Sequence, residues 1–218
     1  MTAPSYDVLI LSIVHRDALL RDLLAELDRQ MQPSVGVIVY RDNLEARYSR
    51  KSRALIEASR ADYTSFIDDD DMVAPDFIAR VIAALEERPD YVGFPVRWTI
   101  DGVQQVPVVH SLRYDGWRNH PDILVRDITQ FNPIRRDLAL AGSWDHPDGA
   151  DHGADGHWAY TIRQTGLCRT EAWIDKEMYY YRFRSADSFL VPRSPLPGDQ
   201  IPPLPSYPWL TAIGAEVR

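Results

Sequence analysis

Four consecutive aspartates, Asp68 to Asp71, are the side chains of this sequence best suited to metal or phosphate chemistry. They follow residues 63–67 (YTSFI), which are predicted to form a strand. If the segment is extended, Asp68 and Asp70 point to one face and the other two aspartates to the opposite face. Adjacent carboxylates repel each other unless a cation such as Mg²⁺ lies among them. The alternative is a solvated acidic turn that caps the next helix.

A cluster of basic residues precedes the aspartates in a chain that is acidic overall, with 24 Lys and Arg against 32 Asp and Glu. The cluster consists of Arg41, Arg47, Arg50, Lys51, Arg53 and Arg60. This local reversal of charge indicates an anion-binding surface, with Lys51 or Arg53 as the contacts. The alternative is a solvated helix face partnered by Glu45 and Glu57.

Length and composition limit the class of protein. A chain of 218 residues with 45 % apolar and 26 % charged residues is typical of one large globular domain. The net charge of −8 disfavours a protein whose whole surface binds nucleic acid. The single cysteine, Cys168, excludes an internal disulfide and a zinc site made only of cysteines. With no basic leader and no long apolar run, we expect a cytoplasmic location.

The first hundred residues repeat one pattern, strand followed by helix, three times. Apolar runs at 6–14 and 35–40 predict buried strands, and a third strand is predicted at 63–67. Helices are predicted at 19–31, at 44–60 and after Pro75. Such an order predicts an α/β fold with a mainly parallel sheet and helices on both faces. Ligands bind at the carboxyl ends of such strands, so the site is expected after Val14, Tyr40 and Ile67.

The second half has a different pattern. Strands are predicted at 90–100, 104–112 and 174–183, and a helix at 157–164 that ends at Gly166. Seven of the 16 prolines lie between positions 192 and 208, which predicts an extended tail outside the core. We therefore expect a single domain over residues 1–190 and a Pro-rich tail over 191–218.

Several segments resemble family 2 glycosyltransferases of the GT-A fold. Residues 66–78 (FIDDDDMVAPDFI) resemble that family's Asp-x-Asp segment, and residues 51–63 are similar to the basic helix before it. Residues 135–145 resemble the stretch before the acceptor-side acid, and Ala154-Asp155 stands where the family usually has Glu-Asp. Residues 181–184 (YRFR) resemble a late Tyr-Arg-x-His segment.

The resemblance implies transfer of a sugar from a nucleotide-diphosphate sugar of UDP or GDP type, assisted by Mn²⁺ or Mg²⁺. The first half, residues 1–100, would bind the donor and residues 101–190 the acceptor. The implied donor contacts are His15, Arg16, Asp42, Lys51, Arg53, Asp68, Asp69 and Arg184. The implied metal ligands are Asp68, Asp70, Asp71 and His157. Asp42 could instead cap a helix. Because Arg184 replaces the family's histidine, either His110 or His157 substitutes for it or metal dependence is weaker.

On the acceptor side, the resemblance implies an inverting hexosyl or related transfer with a base that deprotonates the attacking hydroxyl. Asp155 is the first candidate and Asp151 the second; a role as helix N-cap is the alternative for Asp155. Trp144 and Trp158, beside this base, are predicted to contact the acceptor. The acceptor could be a small molecule, a glycan or a modified nucleic-acid base, and the chain could form a homo-oligomer.

Two other functions compete with this interpretation. The first is a non-catalytic nucleotide-binding module, a degenerate relative of the transferases, which Arg184 and the imperfect Asp42 loop favour. The second is a nucleotidyltransferase, against which the lack of a Gly-rich phosphate loop after Val14 counts.

Overall fold

The computed structural model of the chain describes residues 3–185 and 195–214. Its strands are β1 (Tyr6–Ile13), β2 (Val35–Asp42), β3 (Tyr63–Phe66), β4 (Met72–Val73), β5 (Tyr91–Ile100), β6 (Val103–Gln104), β7 (Val108–His110), β8 (Arg118–Asn119), β9 (Leu124–Arg126), β10 (Ile134–Arg135), β11 (Glu171–Trp173), β12 (Tyr179–Phe183) and β13 (Leu210–Ile213). Its α-helices are α1 (Asp17–Gln30), α2 (Tyr48–Ala58), α3 (Phe77–Leu85), α4 (Arg136–Ala141) and α5 (Ala154–Thr165).

A parallel group of strands in the order β13-β2-β1-β3 forms one half of the sheet. The three strands predicted from the first apolar runs are its β1, β2 and β3, and each is followed by a helix. Because parallel strands need crossover connections, the helices α1 and α2 return the chain to the same edge each time. The predicted α/β fold with a mainly parallel start is confirmed.

The other half of the sheet is mixed. β10 pairs antiparallel with both β3 and β5, and β5 then pairs antiparallel with β7 and β6. The first residues of β5 pair with β11, and its later residues with β12, which also pairs with β4. This shared use of β5 places β12 beside the segment that follows β3.

Helices cover both faces of the sheet, because successive apolar side chains of β1 point to opposite faces and both sets are buried. Val8 and Ile10 face one cluster with the apolar sides of α1 and α3, whereas Leu9 and Leu11 face a second cluster with α2, α4 and α5. Successive residues of a strand point to opposite faces, so an unbroken apolar run is needed when both faces are buried.

Helix α5 is longer than its apolar spacing predicts. It begins at Ala154, after Gly153 with φ 82°, and ends at Gly166 with φ 64°. Both positions favour glycine because other residues rarely adopt this left-handed conformation. Asp155 therefore lies within the first turn of α5, and the expected N-cap role falls to Gly153.

The described part of the Pro-rich segment, residues 195–214, lies against the domain. β13 adds a parallel strand to β2, and Leu204, Tyr207 and Trp209 pack against the core cluster to which the apolar side of α1 belongs. Asn43 holds Leu196 through two hydrogen bonds of 2.8 Å each. The expectation that this stretch lies outside the core is wrong for these residues, because their apolar side chains cover the edge of the sheet. The boundary at residue 191 stays a prediction.

No helix among the described residues is both long and apolar enough to span a lipid bilayer.

Gly142, at the end of α4, provides a test of how α4 and α5 pack. A Cβ atom at this position would lie 2.5 Å from two atoms of the Trp158 indole and 2.9 Å from Ile162, both fully buried. We expect Gly142→Ala to lower stability by about 1–3 kcal/mol, or roughly 3–10 °C in melting temperature. Gly198→Ala is the matched control, because nothing lies within 4 Å of its Cβ position; equal melting temperatures for the two variants would contradict this packing.

Candidate functional site

The carboxyl ends of β1 and β3 are joined by a buried aspartate. Asp69 accepts a hydrogen bond of 2.6 Å from the Ser12 hydroxyl, at the end of β1, and one of 3.0 Å from Arg16. Arg16 also contacts the Asp70 carboxylate at 3.2 Å. Asp69 is thus a positioning residue that ties Arg16 to the acidic segment; Ser12 was not predicted, although its place at the strand end was a usable signal.

The remaining three aspartates form a compact group. Each of Asp68, Asp70 and Asp71 offers a carboxylate oxygen, and these atoms all lie within 4.8 Å of one another. The predicted alternation along an extended segment is wrong, because the chain turns here: the Asp71 N–H donates to the Asp68 carbonyl at 3.1 Å. The turn brings Asp71 to the same side as Asp68 and Asp70 and leaves Asp69 directed at Ser12.

Strand β12 supports this group from the second half of the chain. The Tyr179 hydroxyl and the Arg182 backbone N–H donate to the two oxygens of Asp71, both at 2.7 Å. The Arg182 guanidinium donates to the carbonyls of Asp70 and Asp71, and Arg184 donates to the Asp70 carbonyl at 3.1 Å. Tyr179 and Arg182 were missed by the sequence analysis, although the YRFR segment contains the latter.

Burial and neighbouring charges raise the pKa values of two of these carboxyls, Asp68 and Asp71. Removal from water, and then the charges of Asp71 and Asp70, raise the pKa of Asp68 well above its ordinary value. Burial raises the pKa of Asp71 to about 7 against the opposing effect of the Arg182 N–H. Such values indicate that the ionised group lacks compensating positive charge.

The group fits a hard divalent cation by its donor atoms. Carboxylate oxygens are the ligands that Mg²⁺ and Mn²⁺ prefer. In the described parts of the chain, no hydrogen-bond donor reaches the Asp68 carboxylate, although that side chain is half-buried. Asp68, Asp70 and Asp71 would hold the ion. Two histidines considered as further ligands lie elsewhere: His157 stacks edge-on against His146 at 5.5 Å, and His110 bonds Asn132.

A cleft of about 460 Å³ opens beside the carboxylates. Arg16, Lys51 and Arg184 line it together with the aspartates. Lys51 is nine-tenths buried and forms an ion pair of 3.0 Å with Asp42, which also accepts from the Ala46 N–H. Asp42 therefore fixes Lys51 and the loop after β2, and α2 begins later, at Tyr48.

Three predicted donor contacts, His15, Asp42 and Arg53, do not line this cleft. Arg53 is exposed on α2 and pairs with Glu57, which is the solvated-face alternative for this residue. His15 is exposed in the short 3₁₀ helix after β1. The helical spacing of the basic residues did not distinguish Lys51 from Arg53, since only the packing of α2 decides which side faces the cleft.

A second cleft, of about 590 Å³, meets the first at three shared side chains, Tyr48, Asp68 and Tyr181. Asp155 lines it from the first turn of α5. Both Asp155 and Asp68 line this cleft, and the charge of Asp155 contributes to the raised pKa of Asp68. Asp151 lines it as well, but its oxygens accept the N–H groups of Tyr48 and Ser49 at 3.3 Å and so cap α2.

Different tryptophans line the second cleft from those predicted. Trp144 and Trp158 are 3 % and 0 % exposed and stack on each other in the core with ring centres 5.2 Å apart. Their predicted contact with an acceptor is therefore wrong. Trp98 and Trp117 line the cleft instead. Nearness to Asp155 in the sequence did not predict which tryptophans line the cleft. Trp98 lies in β5 and Trp117 in the loop before β8, and the fold brings both to the cleft from distant parts of the chain.

The excess of negative charge predicts that neutralising Asp68 stabilises the metal-free protein. The folded-state pKa of Asp68 is raised, so its ionisation costs stability as pH rises above the ordinary value for an aspartate. We expect Asp68→Asn to raise the melting temperature in EDTA at pH 8 by about 3 °C or more, since one pKa unit is about 1.4 kcal/mol.

The increase in melting temperature caused by Asp68→Asn should become smaller toward pH 4, because a protonated Asp68 is uncharged like asparagine. Asp122→Asn, at an exposed position, controls for the general loss of one negative charge. A gain no larger than that of the control, or one that grows as pH falls, would contradict this account of the site.

The chain matches known proteins in sequence family and in fold. The model of the family described as Glycosyl transferase family 2 matches residues 14–141, more than half of the chain. No curated protein matches the sequence significantly.

Solved structures of TarS from S. aureus are similar in fold. TarS 1-349 in complex with UDP-GlcNAc gives a TM-score of 0.61 at 13 % identity, covering 83 % of this chain and 59 % of that one. TarS 1-349 in complex with UDP gives 0.55 at 14 % identity, covering 86 % and 63 %. The chain thus spans less than two thirds of these TarS structures. From the family match and the GT-A architecture, we conclude that this chain belongs to glycosyl transferase family 2.

Proposed function

We propose that the chain transfers a sugar from a nucleotide-diphosphate sugar to an acceptor hydroxyl, with inversion and with the help of a divalent cation. The observation that supports this most strongly is the group of three aspartate carboxylates with oxygens within 4.8 Å, in a cleft that also contains Arg16 and Lys51. The titles of two TarS structures name UDP-GlcNAc and UDP, and a UDP-type donor is therefore the first to test.

The first cleft suits the diphosphate of the donor. Asp68, Asp70 and Asp71 would hold Mn²⁺ or Mg²⁺, which when bound supplies positive charge to the departing diphosphate. Arg16 and Lys51, both held by aspartates, present fixed positive groups on one side, and Arg184 lines the other. Fixed charges that need no reorganisation stabilise a developing anion most effectively. At the position where the family has a histidine that binds the metal, Arg184 would instead contribute positive charge to the diphosphate.

Asp155 is proposed as the base. It lies in the first turn of α5 and lines the second cleft. The second cleft, which Asp155 lines, shares Asp68 with the first, and we place the anomeric carbon of a donor bound in the first cleft at this common wall. Asp155 takes the proton of the acceptor hydroxyl as that oxygen attacks the anomeric carbon and the diphosphate leaves. Asp151 is the weaker candidate, because its oxygens are occupied by backbone N–H groups of α2.

Two functions remain as alternatives. A non-catalytic nucleotide-binding module would bind UDP and the cation but turn over no donor. A nucleotidyltransferase would release diphosphate from a nucleoside triphosphate, whereas the proposed transferase releases a nucleoside diphosphate.

Cation and nucleotide should bind together. We expect UDP with Mn²⁺ to raise the melting temperature by several °C, and EDTA to abolish most of the effect, because the carboxylates repel the diphosphate unless a cation lies between them. Asp70→Asn should reduce the shift at least twofold, and Asp122→Asn should leave it unchanged. A UDP shift of the same size in EDTA would contradict a role for the aspartates in cation binding.

The base is tested by separating binding from turnover. We expect Asp155→Asn to reduce the rate of sugar transfer by about 10²–10⁴-fold while the melting temperature and UDP binding stay unchanged. The measurement is UDP release from UDP-sugar donors, with Asp145→Asn, an exposed aspartate of the loop before α5, as control. Full activity in Asp155→Asn would assign the base elsewhere, and UDP binding without release from any donor would favour the non-catalytic module.

A further inference from the structure

The Pro-rich segment, residues 195–214, is fastened to the end of β2 and to the loop that follows it. The Asn43 side chain donates one hydrogen bond to the Leu196 carbonyl and accepts another from the Leu196 N–H, both of 2.8 Å. At the other end of the segment, Ile213 of β13 pairs with Tyr40 of β2. Both ends of the segment therefore contact the same short stretch of chain, residues 40–43.

Arg41, a member of the basic cluster before the aspartates, turns inward and holds the middle of the segment. Its side chain is 1 % exposed, and its guanidinium donates to the Pro202 carbonyl at 2.8 Å and forms an ion pair of 2.7 Å with Asp17. Asp17 also accepts a hydrogen bond from Arg21, which in turn donates to the carbonyl of Pro203. A buried guanidinium needs acceptors for its N–H groups, so Arg41 and the segment hold each other in place.

The same stretch carries the residue that fixes Lys51. Asp42, between Arg41 and Asn43, has a fully buried side chain. Its two oxygens accept hydrogen bonds from the Lys51 ammonium group at 3.0 Å and from the Ala46 N–H at 2.8 Å. Lys51 lines the first cleft. A displacement of the end of β2 would therefore displace a positive charge of that cleft.

The segment is the outer neighbour of this end of β2. In the sheet, β2 lies between β1 and β13, and β13 belongs to the segment. Beyond β2, residues 43–47 form neither helix nor strand, and Leu44 adopts a left-handed φ of 73°. Chain segments without regular hydrogen bonds open most easily, so contacts from outside the loop restrain it. The hydrogen bonds to Leu196 and Pro202 supply such contacts on both sides of Asp42.

Resting on the proposed function, we propose that the Pro-rich segment is a positioning element for donor binding. Through Arg41 and Asn43 it holds the end of β2, and through Asp42 it fixes the Lys51 ammonium group where the diphosphate binds. Arg41 and Asn43 do not line the first cleft, so they act on the donor through Lys51.

A comparison of two backgrounds tests whether Asn43 acts through Lys51. Asn43→Ala removes both hydrogen bonds to Leu196, and we expect it to raise the Kd of UDP in the presence of Mn²⁺ about fivefold or more, measured by calorimetry. The second background is the double variant Asp42→Asn/Lys51→Met, which removes the ion pair as a whole and leaves neither buried charge alone. There, Asn43→Ala should change the Kd less than about twofold, because the contact through which it acts is already absent.

An equal loss of UDP affinity in both backgrounds, or no loss in the wild-type background, would overturn the inference. Trp209→Phe is the matched control, because it removes the hydrogen bond of 2.9 Å from the Trp209 indole to Asp28 of α1 and leaves residues 40–43 untouched. We expect it to lower the melting temperature without changing the Kd of UDP. If both variants weaken UDP binding in proportion to their loss of melting temperature, the segment has a merely structural role and the proposal is wrong.

A measurement without any donor separates this inference from the proposed function. The sequence contains two lysines, Lys51 and Lys176, so acetylation by acetic anhydride can be followed at each by mass spectrometry. We expect Asn43→Ala to raise the acetylation rate of Lys51 at least threefold and to leave Lys176, which pairs with Asp76, unchanged. If the wild type does not bind UDP, the proposed function fails, but these rates still decide whether the segment fixes Lys51; an unchanged rate at Lys51 would contradict it.

Discussion

Uncompensated negative charge at one edge of the sheet is the constraint on which the rest of the site depends. Three ionised carboxylates whose oxygens lie within 4.8 Å repel one another. The turn after β3 and the hydrogen-bond donors of β12 hold them in place against this repulsion. The guanidinium groups of Arg182 and Arg184 stabilise the group further through the backbone carbonyls of Asp70 and Asp71. The protein thereby keeps a charge excess that a cation and a diphosphate can relieve.

The sheet supports this arrangement by bringing distant parts of the chain to one place. β5 is shared by both halves of the sheet, and β12, paired with it, reaches the acidic segment more than one hundred residues after it. The same pairing places Trp98 opposite Tyr181 at the boundary of the two clefts. A site assembled in this way depends on long-range strand pairing more than on any local motif.

How far the sequence predicts this structure depends on the range of the interactions involved. The strands β1 to β3 and their helices were predictable, because burial on both faces demands apolar runs and amphipathic helices. The acidic group and Lys51 could be identified from the sequence as candidate site residues, because ligands bind at the strand ends of parallel sheets. The turn at Asp68, the choice of Lys51 over Arg53 and the burial of Trp144 and Trp158 were not, because each depends on tertiary packing. The same holds for β13, whose pairing with β2 no local signal in the Pro-rich segment indicates.

The common wall of the two clefts has a kinetic consequence. Tyr48, Asp68 and Tyr181 belong to both surfaces, so a ligand on one side changes the shape that the other side offers. In the proposed transfer, the steady-state constants for donor and acceptor would then be interdependent at these positions, and these three side chains would influence the order in which the substrates add. Arg16 on one flank and Gln130 on the other, each lining a single cleft, are the places where the two Michaelis constants can be varied independently.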